Sequence, residues 1–157
     1  MTSQAAAAVL EVLVARGQTL AVAESLTGGL LAATIVDVPG ASRVFRGGLV
    51  VYATDLKATL ADVPTDLLRA HGAVHPDTAA ALARGARIRC GADWGLATTG
   101  VAGPDAQDGV PVGTVYVAVS SATAGDVVRL ELAGSRAEIR AGAVTGALDL
   151  LTAALGS

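Results

Sequence analysis

A serine followed by two glycines is the first feature of this sequence whose residue types and spacing could do chemistry. The stretch Glu24-Ser25-Leu26-Thr27-Gly28-Gly29 follows a short apolar run and precedes a helical one, which predicts a strand that turns into a helix. Glycines permit a tight turn, and the N–H groups at a helix start attract negative charge. A hydroxyl held there can act as a nucleophile while nearby amides hold the developing oxyanion. Alternatively, Ser25 or Thr27 only caps the helix.

A tyrosine and a lysine form the second candidate group. Tyr52 stands at a predicted strand end, and Lys57 follows five residues later in the first turn of a predicted helix. A lysine near a phenol lowers the phenol's pKa, and a desolvated lysine can itself lose a proton, so either group could deprotonate a serine. Lys57 is the one lysine in the chain, which suggests a position where a removable proton matters. The alternative is a packed tyrosine beside a solvated lysine.

A glycine-containing loop is the third candidate. Thr98 to Pro104 follows an apolar strand, and loops at the carboxyl ends of strands are where α/β sheets bind ligands. The backbone amides of such a loop can hold a phosphate or a carboxylate. The alternative is a structural Gly-Pro turn. The residues predicted to bind substrate here are Thr99, Gly100, Ala102 and Gly103.

Two arginines and two histidines complete the set. Arg136 and Arg140 are one helical turn apart, and paired guanidinium groups on one face suit a phosphate, although a solvated helix face is the alternative. His71 and His75 are also four residues apart, but Gly72 and Pro76 interrupt the helix around them. Because the sequence offers them no third ligand, no metal site is predicted, and no cofactor is expected.

The elements that must position these groups alternate between helices and strands along most of the chain, and two strands come in succession near the end. This order predicts one α/β domain over residues 1–157, with a mixed, mainly parallel sheet, helices on both faces and a late hairpin. The strand at 48–53 is expected to be buried, with Thr54 or Asp55 capping the next helix. Helices are predicted at 5–16, 30–36, 54–60, 65–70, 76–90 and 135–155, and strands at 19–23, 48–53, 95–98, 112–120 and 126–132.

Composition excludes several classes of protein. With 52% hydrophobic and 16% charged residues, the 157-residue chain is not disordered. A net charge of −3 argues against a nucleic-acid partner, which usually requires a basic domain. The single cysteine, Cys90, excludes an internal disulfide framework and is consistent with a reducing cytoplasm. The sequence shows neither a signal-peptide pattern nor a long uncharged apolar stretch, so we expect a cytoplasmic protein without a membrane partner.

Several of these segments, in this order, resemble the C-terminal domain of the CinA family, whose characterised members are nicotinamide-nucleotide amidases. The resemblance extends from about Val9 to Leu151. The segments that carry it are Ala23-Glu24-Ser25 with Thr27-Gly28-Gly29, Gly48 to Tyr52 with Lys57, His71 to Val74, Thr99 to Pro104, Pro111 to Val115, and Gly134 with Arg136 and Arg140.

The resemblance implies a three-layer α/β/α sandwich that hydrolyses the carboxamide of nicotinamide mononucleotide to nicotinic acid mononucleotide and ammonia. The family's catalytic serine, tyrosine and lysine fall on Ser25, Tyr52 and Lys57. A homo-oligomer, dimer or higher, is expected by the same analogy. Larger relatives carry an additional N-terminal domain, so this chain resembles the stand-alone form. The alternatives are an amidase for a different phosphorylated or carboxylated amide, and a non-catalytic protein-binding role linked to competence or DNA damage.

The expected mechanism is acyl transfer. Tyr52 and Lys57 together take the proton from Ser25 Oγ, amides within 27–29 or 99–100 hold the oxyanion, and Arg136 or Arg140 binds the 5′-phosphate. Glu24, Thr27, Gly28 and Gly29 are included among the expected substrate-binding residues. The sequence departs from the family pattern in ways that bear on phosphate binding and on the substrate. The departures are Leu26 for Cys, His75 for Ser, Ala106-Gln107-Asp108 for a Gly-Gly-Thr-like stretch, Val110 for Lys and Ser135 for Asp.

Overall fold

In this computed structural model, which describes residues 2–156, five strands form a mixed sheet in the order β2-β1-β3-β4-β5. The strands are β1 Leu20–Glu24, β2 Phe45–Val50, β3 Trp94–Gly100, β4 Thr114–Ser120 and β5 Gly125–Glu131. The helices are α1 Thr2–Arg16, α2 Leu30–Val36, α3 Thr54–Ala61, α4 Thr65–His71, α5 Pro76–Arg89 and α6 Arg136–Leu155, with a 3₁₀ turn at Ala41–Arg43. None of the described helices is both long and apolar enough to cross a membrane.

The topology places three strand ends side by side. Strand β1 pairs in parallel with β2 and β3, whereas β3–β4 and β4–β5 are antiparallel. The α/β class, the mixed sheet and the late hairpin are therefore confirmed, although parallel pairing accounts for two of the four strand pairs rather than for most of them. Because β1, β2 and β3 run in the same direction, their carboxyl ends lie at one edge of the sheet, where α/β proteins bind ligands.

Alternating side chains of the sheet build two cores. Leu20 and Val22 of β1 face one core, which α1, α2 and α6 cover, while Ala21 and Ala23 face the other, which α3, α4 and α5 cover. The second face uses small residues because α5 lies very close to its neighbours. A Cβ added at Gly95 would lie 1.9 Å from the backbone oxygen of Ala83, so only glycine fits there. This arrangement confirms the predicted three layers.

Strand β2 differs from the sequence prediction. It spans Phe45–Val50 rather than 48–53, and it is an edge strand whose side chains alternate between half-buried and exposed, with Val50 48% exposed. The expectation of a buried strand was wrong, because a continuous apolar run does not show whether the strand lies inside the sheet or at its edge. After Val50 the chain leaves the sheet, and α3 begins after Ala53, whose side chain makes no capping bond. Neither Thr54 nor Asp55 is the cap residue.

Candidate active site

Ser25 lies directly after β1 on a turn that only glycines could complete. Its N–H donates to the Thr98 carbonyl at 3.0 Å, which ties the turn to β3, and the N–H of Gly28 donates to the Ser25 carbonyl at 3.1 Å. Gly28 and Gly29 have φ of 57° and 105°, in the left-handed region. The N-cap of α2 is Gly29, with no side-chain capping bond. Ser25 and Thr27 are therefore not cap residues, and the Ser25 hydroxyl is not used to cap α2.

A fully buried carboxylate holds this turn from behind. Glu24 accepts backbone N–H bonds from Gly29, Leu31 and Ala32 at 3.2, 2.9 and 3.0 Å, and a hydroxyl bond from Thr27 at 2.6 Å. These are the unpaired donors of a helix start, so Glu24 performs the capping that no nearby hydroxyl does. Glu24, Thr27, Gly28 and Gly29 were expected to bind substrate, and none of the four lines the cavity in front of Ser25.

Replacing Glu24 with glutamine is expected to lower the free energy of unfolding by about 2 kcal/mol, since one of its acceptor oxygens becomes an NH₂ group that faces other donors. Urea denaturation of the purified variant measures this loss. The matched control is Glu11→Gln on the exposed face of α1, which should leave stability unchanged. A Glu24→Gln variant as stable as the wild type would show that the carboxylate does not hold the turn.

Lys57 is the one buried cation of the described chain, and it touches the serine. Its side chain is 0% exposed, and its Nζ lies 3.0 Å from Ser25 Oγ, 2.7 Å from the Val51 carbonyl and 3.2 Å from the Tyr52 carbonyl. No carboxylate of the described residues pairs with it. Burial lowers the pKa of Lys57 from its ordinary value of 10.5 to about 8. The alternative of a solvated surface lysine is wrong.

The phenol of Tyr52 lies elsewhere than expected. It is the Tyr52 carbonyl that Lys57 contacts, while the phenol oxygen accepts a bond of 3.1 Å from Arg136 Nη2 at the mouth of the site. Tyr52 is 60% exposed. The predicted phenol–amine pair is therefore not formed in this structure, and Lys57 alone contacts the Ser25 hydroxyl.

A cavity of about 270 Å³ opens in front of Ser25, between the carboxyl ends of β1, β2 and β3. The predicted loop residues Thr99, Gly100, Ala102 and Gly103 line it, as do Ser25, Tyr52, Lys57 and Arg136. Eight further lining residues were not among the predicted site residues. They are Leu26, Ala53, Thr54, Val101, Asp105 and Gln107, together with Ala73 and Val74, which belong to a segment noted only for its family resemblance.

The two arginines of α6 share a helix face but have different partners. Arg136 lines the cavity and donates to the Gly103 carbonyl at 2.6 Å and to the Tyr52 phenol. Arg140 donates to the carbonyls of Leu26 and Thr27, each at 2.9 Å, and does not line the cavity. Arg140 therefore clamps the serine turn, and Arg136 is the arginine in reach of a ligand.

Backbone N–H groups beside the serine divide into engaged and free donors. Those of Gly28 and Gly29 already bond to the Ser25 carbonyl and to Glu24, so they are not available to an oxyanion. Within residues 2–156, the N–H of Leu26 has no hydrogen-bond partner, and Leu26 lines the cavity next to Ser25. The N–H of Gly103, across the cavity, is likewise without a partner in the described chain. Free buried donors are rare and attract negative charge.

The chain is similar to known proteins of one family over nearly its whole length. The family model for the CinA C-terminal domain matches residues 2–155. A CinA-like protein of Frankia casuarinae is 56% identical over 144 residues, which are 91% of this chain and 33% of that protein. A CinA-like protein of Acidobacterium capsulatum is 46% identical over 144 residues, 91% of this chain and 35% of that protein. The chain thus spans about a third of the length of these curated relatives.

Solved structures agree with the fold throughout the chain. The competence/damage inducible protein CihA from Agrobacterium tumefaciens superposes with a TM-score of 0.94 at 33% identity, covering 99% of this chain and 96% of that one. The competence damage-inducible protein A from Klebsiella pneumoniae superposes with a TM-score of 0.95 at 33% identity, covering 99% and 97%.

Proposed function

The chain belongs to the CinA C-terminal domain family, and from that premise we propose that it is an amidohydrolase that converts nicotinamide mononucleotide to nicotinic acid mononucleotide and ammonia. The observation that carries the proposal is the 3.0 Å contact between Lys57 Nζ and Ser25 Oγ at the wall of a cavity. A buried lysine with no carboxylate partner, next to a hydroxyl, is an arrangement suited to nucleophilic catalysis.

Lys57 contacts three oxygens, and as an ammonium it donates one N–H bond to each of them, Ser25 Oγ and the carbonyls of Val51 and Tyr52. A neutral amine has two N–H bonds and one lone pair. When Lys57 is neutral, its two N–H bonds can stay with the two carbonyls, and its lone pair then accepts the hydrogen of the Ser25 hydroxyl. The lowered pKa makes this neutral form abundant near pH 8. Lys57 can then take the Ser25 proton as Oγ attacks the carboxamide carbon.

The free N–H groups account for the oxyanion. When Oγ bonds to the carbon, the amide oxygen acquires negative charge. The N–H of Leu26, the residue after the nucleophile, can donate a hydrogen bond to that oxygen. Gly103, whose N–H is also without a partner in the described chain, lines the same cavity. Arg140 clamps the carbonyls of Leu26 and Thr27 and so holds this turn in position.

The remaining steps need no further group. The protonated Lys57 gives its proton to the departing nitrogen, ammonia leaves, and an ester on Ser25 remains. Lys57, again neutral, takes a proton from a water molecule that attacks the ester. The bond between the carbon and Ser25 Oγ then breaks, Lys57 returns the proton to Oγ, and nicotinic acid mononucleotide is released. Tyr52 was expected to share the role of base. In this proposal its phenol instead acts with Arg136 at the cavity mouth, where the two contact the nucleotide.

The two arginines give a prediction about substrate phosphate. Arg136→Gln is expected to raise the KM for nicotinamide mononucleotide by about tenfold to a hundredfold, because a charge-assisted bond to phosphate is lost, and to leave the KM for nicotinamide riboside unchanged. Arg140→Gln should instead lower kcat for both substrates equally, because the serine turn loosens. Steady-state kinetics of the two variants on both substrates measures the split. A phosphate-selective defect in Arg140→Gln would reverse the assignment.

The proposed activity is tested by ammonia release from nicotinamide mononucleotide, nicotinamide riboside and nicotinamide. We expect the mononucleotide to be hydrolysed with the highest kcat/KM and plain nicotinamide to be a poor substrate, since it offers Arg136 nothing to bind. If none of the three releases ammonia, the assigned substrate is wrong.

A second candidate is an amidase for a different phosphorylated or carboxylated amide. It is favoured by the cavity wall, because Gln107 belongs to the stretch that departs from the family pattern and lines the cavity together with Asp105. A panel of amides with and without phosphate or carboxylate separates the two candidates. Faster hydrolysis of another anionic amide than of the mononucleotide would establish the second candidate.

A further inference from the structure

Two histidines and an aspartate lie together where α4 joins α5, apart from the Ser25–Lys57 pair. His71 ends α4, His75 is the N-cap of α5, and Asp77 lies in the first turn of α5. The chain reverses at Gly72, whose φ is 75°, and this stacks the two imidazole rings with centroids 3.9 Å apart and 11° between their planes. The sequence prediction of no metal site rested on the missing third ligand, and the fold supplies one.

The three side chains have the donors and the spacing of a metal site. Asp77 Oδ2 lies 3.9 Å from His71 Nε2 and 3.9 Å from His75 Nδ1, and one ligand atom of each residue lies within 4.8 Å of the others. Tetrahedral zinc with bonds of about 2.0 to 2.1 Å separates its ligand atoms by roughly 3.3 Å. All three side chains are partly exposed, so the two imidazole rings have room to turn out of their stack and bring the ligand atoms to that spacing.

We propose that His71, His75 and Asp77 form a site for a divalent transition metal, with Zn²⁺ as its best occupant. Two imidazole nitrogens and one carboxylate oxygen are a donor set that zinc accepts, with water in the fourth position. Ca²⁺ and Mg²⁺ prefer oxygen ligands throughout, so this set discriminates against them.

The site competes with a helix cap. His75 Nδ1 accepts the backbone N–H of Asp77 at 3.1 Å. A neutral imidazole has a single lone pair, so the metal takes it only when that capping bond is given up. Metal binding therefore exchanges one restraint on the start of α5 for another that also includes the end of α4.

The loop held by this exchange is a wall of the cavity. Ala73 and Val74, between the two histidines, line it, and the Ala73 carbonyl accepts a 2.7 Å bond from Thr99 Oγ1. A bound metal would fix both ends of this loop. The site contains none of the proposed catalytic residues, so the proposal stands apart from the amidase assignment.

Zn²⁺ titrated calorimetrically into the untagged full chain tests the site. We expect one ion per chain. His71→Asn and Asp77→Asn should each weaken binding by about 100-fold, since even the loss of an outer-shell partner can cost that much. Asp77→Asn keeps the backbone N–H that forms the cap. His75→Ser removes a ligand but retains a capping side chain, so its loss of binding is separable from loss of the helix start.

Two controls keep the result specific. Cys90→Ser should bind Zn²⁺ as the wild type does, because the free thiol of Cys90 is not part of the cluster. Co²⁺ in place of Zn²⁺ should give the visible absorption of a tetrahedral ion in the wild type and lose it in Asp77→Asn. The proposal is overturned if the wild type binds no Zn²⁺, if Cys90→Ser abolishes binding, or if the three ligand variants bind as tightly as the wild type.

Discussion

Ser25→Ala is expected to reduce kcat/KM for ammonia release from nicotinamide mononucleotide by about 10,000-fold or more, which is the scale of loss when a serine hydrolase loses its nucleophile. Alanine has no oxygen to attack the carboxamide, and Lys57 is left with no hydroxyl proton to take. Initial rates of ammonia formation, with the variant at high concentration, measure the loss.

The fold of Ser25→Ala should be intact, because the side chain of Ser25 makes a single hydrogen bond in the described structure, to Lys57. Ser42→Ala is the matched control, since Ser42 is an exposed serine in the 3₁₀ turn remote from the cavity, and it should retain full activity. A Ser25→Ala variant as active as the wild type would show that Ser25 is not the nucleophile.

Lys57→Met is expected to lower kcat/KM by about 100- to 10,000-fold and to abolish the acidic limb of its pH profile. Methionine is of similar length and apolar, so it can occupy the buried position without a base. In the wild type the protonated ammonium cannot accept the serine proton. Because burial lowers the pKa to about 8, the rate should fall tenfold for each pH unit below 8 and level off above it. The measurement is kcat/KM from pH 5.5 to 9.5.

Tyr52→Phe is the discriminating companion to Lys57→Met. It removes the phenol but keeps the backbone carbonyl that Lys57 contacts, so its acidic limb should stay near pH 8. Arg69→Met, which removes an exposed cation on α4, controls for loss of positive charge. If Lys57→Met keeps the wild-type profile, Lys57 is not the base, and if Tyr52→Phe loses the limb, the role belongs to the phenol.

The burial of Lys57 is itself informative about function. Lys57 is fully buried and has no carboxylate partner among the described residues. Its ammonium form therefore loses the hydration energy that it has in water, and no ion pair compensates for that loss. Leucine or methionine would fill the same space at lower cost. Such an arrangement is typical of sites where a lowered lysine pKa serves the function, because a desolvated lysine without a charged partner does not add to the stability of the fold.

The elements were predictable where local patterns decide them. The bounds of α2 agree with the sequence prediction, and α6 begins after Ser135, which caps it together with Glu138. The edge position of β2 was not predictable, because it depends on the strand order. That order is set by packing between residues distant in sequence, and the apolar run at 49–51 does not indicate it.

The site was predictable at the level of which segments meet. Glycines after a strand led to Ser25, and a loop at the carboxyl end of a strand led to residues 99–103. Lys57 was predicted because it is the one lysine of the chain and lies five residues after Tyr52, and the family resemblance assigned the catalytic roles. The division of labour within the site was not predictable. Arg136 meets Tyr52 across 84 residues, and Arg140 meets Leu26 across 114, so contacts between remote segments decide which arginine faces the ligand.

The role of Glu24 was not predictable from the sequence either. Glu24 was among the residues expected to bind substrate, but its carboxylate accepts N–H bonds from Leu31 and Ala32 of α2. Side chains alternate along a strand, so Glu24 lies on the same face of the sheet as Val22, which is the face that α2 covers. The sequence does not show that the N–H groups of α2 lie at that place.

Activation of the Ser25 hydroxyl by neutral Lys57 is measured most directly by the rate at which methanesulfonyl fluoride modifies the protein between pH 6 and 9.5. This reagent is small enough for the cavity of about 270 Å³ and does not depend on the identity of the substrate. We expect one sulfonyl group per chain, located on Ser25, with a modification rate that rises through pH 8 and is lost in Lys57→Met. Modification of Ser25 at the same rate in the wild type and in Lys57→Met would contradict activation by Lys57.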